Sequence, residues 1–446
     1  MKKFFKENYK VIICSCVLLG LLAIALAVSP KSPQGQPSQD PSEPLPYGVG
    51  TRNYTLFNTT STIYTYAGDT KEVFDANCAE AWSLLAEYHQ LFDIYYEFSG
   101  INNLCTLNKN AGGDALEVSP KLIEFLKYAK ELYALTSGEM NVMMGAVLVP
   151  WHDAREDKYL GLKYCEYCKE FSDTTDIKCP QQDPDHPQDS SLKCEKPLVE
   201  YDFSIALYCE YCHKFSPKDQ CVDGKCPQQD PDYPNQKDKK CERPVITFDY
   251  ALEKGSQHTS IDCLEIDEKN NTIRITDKDA RIDVGALGKG YATEMTAKHL
   301  EAKGVTSYVL DIGGNLRLIG TQANGLNWTT AIKDPKNPRS NFIKKISISD
   351  ISCVTSGDYE RYIKINGKNY HHIIDKDTLM PAEYFSSVTI LAKNSGLADA
   401  LSTALFCMSY EEGLALVEKI GGVEVLWVYP DNSTKMTKGF EALLIE

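Results

Sequence analysis

A carboxylate and a hydroxyl stand four residues apart in Leu397-Ala398-Asp399-Ala400-Leu401-Ser402-Thr403. On a helix that spacing puts both on one face, one turn apart. Oxygen ligands so placed suit a hard cation such as Mg2+, which keeps part of its shell for substrate phosphate. An Asp near a helix N-terminus also satisfies the helix dipole with no cation at all. A second group able to do chemistry is Tyr370-His371-His372. Imidazole serves as a general base near neutral pH. Consecutive residues on a strand face opposite sides, so one histidine enters a cleft and the other packs. The third group is Asp283-Val284-Gly285-Ala286-Leu287-Gly288-Lys289-Gly290-Tyr291, with Asp311-Ile312-Gly313-Gly314-Asn315 downstream. Its glycines let backbone approach a ligand closely. A helix opening there offers free N–H groups to a phosphate, and Lys289 adds a cation. The order G-x-x-G-x-G is not the dinucleotide fingerprint.

Several elements must position these groups. Residues 281–284 alternate like a short strand, and 291–303 carry a helical apolar pattern that Gly304 ends. Residues 308–312 are β-rich and stop at Gly313-Gly314. Residues 362–365 and 368–374 pair across Asn366-Gly367, a strong hairpin signal, with both histidines on the second strand. Residues 397–405 form a helix of small and apolar residues. Upstream, residues 54–66 read as a strand and 75–92 as a helix. Ser119-Pro120 caps a further helix to about residue 137. Residues 245–254 begin strand-like and turn charged. Ser356-Gly357 follows a strand, where glycine permits a tight turn.

The chain has 446 residues, 43% of them hydrophobic, enough for one large or two modest domains. A net charge of −15 argues against a nucleic-acid partner. Nine of its 16 cysteines lie within residues 165–241. There Cys165-Glu-Tyr-Cys168, Cys179 and Cys194 recur as Cys209-Glu-Tyr-Cys212, Cys226 and Cys241. So few apolar residues accompany them that each copy needs a cross-link or a metal. Four thiolates suit Zn2+; two disulfides per copy suit an oxidising compartment equally well. Cys209 to His213 also has haem-attachment spacing, which Lys169 breaks in the first copy. Residues 164–244 therefore look like a duplicated Cys-rich module inserted into a domain spanning 51–446.

Before that domain, a basic start precedes an uncharged apolar run at 11–28. Residues 1–28 are expected to be a signal sequence or a membrane anchor with everything after them outside the membrane. The Pro- and Ser-rich residues 29–50 are expected to be a linker.

In combination, residues 118–151, 283–315, 354–375 and 398–404 resemble the FAD:protein FMN transferase (ApbE) family, in that family's order. The resemblance implies an α+β fold, T-fold-like, with mixed sheets and helices around a flavin cleft. It implies an extracytoplasmic, Mg2+-dependent enzyme, membrane-anchored or secreted. Such an enzyme takes FAD as substrate, transfers FMN to a Thr or Ser of an acceptor protein, and releases AMP. The acceptor would carry a Ser/Thr-Gly-Ala-Ser/Thr site, which this chain lacks. Carried over, Asp399, Thr403 and the Gly288 carbonyl would hold the metal. His372, or else His371, would be the base. Asp283, Lys289, Gly290, Asp311, Gly314, Ser356 and Gly357 would line the flavin nucleotide. Asn141 and Leu379-Met380 depart from the family's usual Asp and Thr-Gly-x-Pro. An FAD diphosphatase and a flavin-carrying surface redox protein remain as alternatives, and the cysteine block could be a docking module.

Overall fold

Eight strands form one antiparallel sheet in the order Gly50–Leu56, Thr59–Thr65, Ser307–Ile312, Asn315–Gly320, Ile351–Gly357, Ser387–Ala392, Glu424–Val428 and Thr434–Met436. The computed structural model that shows this describes residues 50–66 and 68–445. The leader or anchor expected at 1–28, and all but the last residue of the expected linker, lie outside the described residues. Among the described residues no helix is long and apolar enough to cross a membrane.

Ser387–Ala392 is buried along its whole length because both faces of the sheet are covered. On one face lie the helices Lys71–Phe92, Gly288–Ala302 and Ser395–Ala404. Phe74, Ala297, Leu300, Tyr308 and Leu310 pack together there. On the other face Val309, Cys353 and Leu426 meet Trp328 and Ile346 of a smaller three-stranded sheet, with Phe440. A further helix, Pro120–Leu135, stacks Phe125 on Phe92 at 4.0 Å between ring centroids. The α+β expectation holds.

Some elements differ from their sequence reading. Residues 54–66 are a hairpin rather than one strand, turning at Phe57 and Asn58, both at positive φ. An alternating pattern on both sides of a two-residue turn hides the turn when no glycine marks it. Residues 281–284 make a single bridge from Arg281 to Met144 instead of a strand. The strand expected from residue 245 is only Ile246–Thr247 and gives way to the helix Phe248–Ser256, capped by Thr247. The glycine-rich helix starts at Gly288, so Lys289 and Gly290 lie inside its first turn.

The inserted block contains two similar small sheets. Lys163–Cys165 pairs with Glu170–Ser172 and Val199–Glu200, and Ala206–Cys209 pairs with Lys214–Pro217 and Ile246–Thr247. The block is not a separate lobe. Tyr164, Tyr201, Tyr208 and Phe215 share one cluster with Trp151, Phe248 and Ile363.

Gly290 is where two helices touch most closely. A Cβ there would lie 2.4 Å from both Asp399 Cβ and Ser395 O. Gly290→Ala should therefore force the helices apart and destabilise the chain by about 1–3 kcal/mol, measured by urea denaturation.

Candidate active site

Asp399 sits one turn into Ser395–Ala404 and is buried. Its Oδ2 accepts the Gly290 N–H at 2.8 Å, and Lys289 Nζ is 3.8 Å away. A carboxylate of the chain itself thus stands at this helix N-terminus. Glu294 returns the favour, accepting the Ser395 N–H at 2.8 Å. Burial raises the Asp399 pKa, opposed by Lys289, the Gly290 N–H and Asn315. Thr403 lies one turn further along, its Oγ1 3.5 Å from Ser356 Oγ, which is itself 2.8 Å from Ser402 Oγ. The structure therefore brings Asp399, Thr403, Lys289, Gly290 and Ser356 together, with Gly288 next to Lys289.

The two histidines part, but not by strand alternation: the strand expected over 368–374 ends at His371, and His372 lies in the bend after it. His371 is buried against Phe406; its Nε2 donates to Ala382 O at 2.9 Å and its Nδ1 accepts the Ile373 N–H at 3.2 Å. Both ring nitrogens are occupied, which removes His371 as a base. His372 is half-buried, and its Nδ1 lies 3.2 Å from Arg361 O. A carbonyl only accepts, so the proton sits on Nδ1 and Nε2 keeps its lone pair. Burial first, then the charges of Arg361, Arg155 and Lys289, hold the His372 pKa well below its usual value. Arg361 acts electrostatically on Asp399 as well as on His372.

Asp283 closes that cleft from the other side. Its Oδ1 accepts the Gly285 N–H at 2.8 Å, and its Oδ2 lies 3.5 Å from His152 Nε2. His152 Nδ1 in turn meets Tyr95 OH at 3.2 Å.

Asp311 departs from expectation. Strand alternation turns its side chain away from the helices, toward Tyr64 and Cys353 on the opposite face of the sheet. There its Oδ1 caps the Gly314 N–H at 2.9 Å, and burial raises its pKa. Asp311 and Gly314 thus build the turn after Ser307–Ile312 and do not join Asp399 and His372. Gly357 stays within its strand, with Tyr359 folded close over it.

Arg155, Arg361, His152, Tyr95 and Asn315 belong to the cleft but were not singled out from the sequence. Arg361 lies inside the motif that ends in the histidines and Asn315 ends the Asp311-to-Asn315 stretch; Arg155, His152 and Tyr95 carry no local signal. Leu379 stands at φ +60° where the family motif has glycine, held there as its carbonyl accepts the Trp151 indole N–H at 3.0 Å. Asn141 secures its own turn, donating to Thr259 O and accepting the Met143 N–H, both at 2.9 Å. Two concavities elsewhere, about 480 Å3 beside Lys127 and Glu268 and about 460 Å3 beside Asn141 and Lys376, contain none of the expected site residues.

The donor set around Asp399 is all oxygen and suits a hard cation. Asn315 Oδ1 and Arg155 Nη1 are buried without a hydrogen-bond partner. Unpaired polar atoms of both signs beside one cleft fit a ligand that brings cation and anion together.

The ApbE family model matches residues 57–207 and 229–427. The chain belongs to the ApbE family. An FAD:protein FMN transferase of Treponema pallidum is 35% identical over 178 residues, 38% of this chain and 49% of that protein. One of Vibrio cholerae is 34% identical over 161 residues, 36% of this chain and 48% of its own. The chain thus spans about half the length of the curated relatives it matches. Among solved structures, the ApbE protein of Thermotoga maritima superposes with a TM-score of 0.60 at 20% identity, covering 89% of this chain and 99% of that one. The flavin transferase ApbE of Vibrio cholerae gives 0.58 at 21%, covering 91% and 100%. These structures establish the ApbE fold.

His371 and His372 both have folded-state pKa values below the ordinary one. The unfolded chain therefore binds protons first as pH falls, and stability is lost below about pH 6.5. Denaturation at about pH 7.5 and about pH 5.5 should show that loss, and His372→Gln should make it smaller.

Proposed function

We propose that this chain transfers FMN from FAD to a Thr or Ser hydroxyl of an acceptor protein and releases AMP. The observation that carries this reading is His372, kept neutral by burial and by the charges of Arg361, Arg155 and Lys289, with Arg361 O fixing the proton on Nδ1, while Lys289 stands 3.8 Å from Asp399. Asp399, Thr403 and the Gly288 carbonyl would hold Mg2+. When bound, that ion supplies positive charge against the diphosphate of FAD. Lys289, Arg361 and Arg155 add fixed positive charge beside it, which lets a nucleophile approach phosphorus. His372 Nε2 takes the proton of the acceptor hydroxyl as its oxygen bonds to the phosphorus of the FMN half. The bond from that phosphorus to the AMP oxygen breaks, and AMP leaves with the electron pair. An anionic substrate offsets the three cations around His372 and returns its basicity toward the ordinary range. Residues 1–28 support an extracytoplasmic setting, at the membrane or secreted, for both enzyme and acceptor.

The test incubates the chain with FAD, Mg2+ and an acceptor bearing a Ser/Thr-Gly-Ala-Ser/Thr site, then looks for the added FMN by mass. His372→Ala and Asp399→Ala should each lower the labelling rate by about 10²-fold or more. FMN and AMP appearing at equal rates with and without acceptor, and no labelled protein, would make the chain a diphosphatase instead. His371→Asn should reduce stability more than rate, because its nitrogens hold the Ala382 and Ile373 backbone.

A further inference from the structure

The geometry points to two structural zinc ions, one in each cysteine quartet, whose ribbons brace the two walls of the cleft that hold His152, Arg155 and His372. In each quartet the four sulfurs lie within 4.8 Å of one another. Cys165 and Cys194 are 3.7 Å apart and Cys168 and Cys179 3.4 Å; Cys209 and Cys241 are 3.8 Å apart and Cys212 and Cys226 3.4 Å. Four thiolates about 2.3 Å from a tetrahedral zinc stand about 3.8 Å from each other. A disulfide needs about 2.05 Å, and all eight cysteines are unbonded. Cys209 and Cys212 both belong to a quartet, which rules out their use as haem attachments.

The backbone repeats with the sulfurs. Lys169 N–H donates to Cys165 O at 2.8 Å, and His213 N–H to Cys209 O at 2.9 Å. Glu195 N–H donates to Cys179 O and Glu242 N–H to Cys226 O, both at 3.1 Å. Each of these four residues follows a quartet cysteine, and each sits at φ between +51° and +60° with no glycine. Side chains rarely hold that conformation unless something on the spot enforces it. Hydrophobic packing around the sulfurs does not, because only Leu198 or Val245 packs against each quartet, while the ribbons' aromatic residues belong to a separate cluster with Trp151 and Phe248. A metal supplies the missing cohesion.

The ribbons are joined to the cleft. Beside Cys212, His213 Nδ1 lies 2.8 Å from Asp153 Oδ2, and Tyr208, beside Cys209, donates its hydroxyl to the same oxygen. Asp153 is flanked on Gly145–Glu156 by His152 and Arg155. From the first ribbon, Glu200 Oε1 accepts the Asn366 N–H at 3.3 Å, and Asp202 Oδ2 accepts from Asn366 Nδ2 at 2.8 Å. Asn366 is the turn of the hairpin Tyr362–Ile365 and Lys368–His371, which His372 directly follows.

The zinc sites do not depend on the proposed function, and the test keeps the two apart. Elemental analysis of the full chain should find about two zinc ions per molecule, falling to about one in Cys168→Ser and in Cys212→Ser. Replacement by Co2+ should give the visible bands of a tetrahedral tetrathiolate. An intact mass showing four disulfides, or eight freely alkylated thiols with no metal, would overturn the assignment. For the bracing, amide exchange within 145–156 and 362–371 should rise at least several-fold when a chelator removes zinc. Asp153→Asn should raise exchange in 145–156 alone while both zinc ions stay bound. Unchanged exchange in both would leave two zinc ions with no part in holding the cleft, and would overturn that half of the inference.

Discussion

Two helices cap each other. Asp399 on Ser395–Ala404 accepts from the first turn of Gly288–Ala302, and Glu294 on Gly288–Ala302 accepts from the start of Ser395–Ala404. Each carboxylate satisfies an N–H group that helix geometry leaves without a partner, and charge-assisted bonds of this kind contribute about 1.5–3 kcal/mol each. The crossing is close enough only because residue 290 has no side chain. Arg317, buried beside Glu294 and bonded to Glu301, keeps the second carboxylate from being an unpaired buried charge. Lys289 and Gly290, in the first turn of Gly288–Ala302, are placed by this crossing.

From it the electrostatics of the cleft follow. Asp399 is the buried anion, with Lys289 and Arg361 the cations acting on it, while Arg155 acts on His372. The cations suppress protonation of His372, and the Arg361 carbonyl sets its tautomer. His371, one residue away, spends both nitrogens on backbone and anchors the segment that carries His372.

The cysteine-rich block is chemically unlike the rest of the chain yet is built into its packing. Its tyrosines share a cluster with Trp151 and Phe248, and Phe203 stacks on Phe248 at 4.0 Å between ring centroids. Its polar residues reach the helix that bears His152 and the hairpin that precedes His372.

The sequence alone determined what depends on local spacing. Asp399 and Thr403 share a helix face because of the helical period, and Asn366-Gly367 makes its turn because both residues tolerate positive φ. The duplicated quartets are visible as bare repetition, whereas the split between His371 and His372 comes from the strand ending at His371. Tertiary structure decided everything that needs two distant segments at once. It buried His371 against backbone, gave the Gly290 N–H to Asp399, and put the Asp311 side chain on the sheet face away from the helices. It also recruited Arg155, His152 and Tyr95, whose types and neighbours in the chain announce nothing. The reason is physical: the N–H that Asp399 takes lies 109 residues away, and no local pattern records a partner that only the folded sheet and its helices bring within reach.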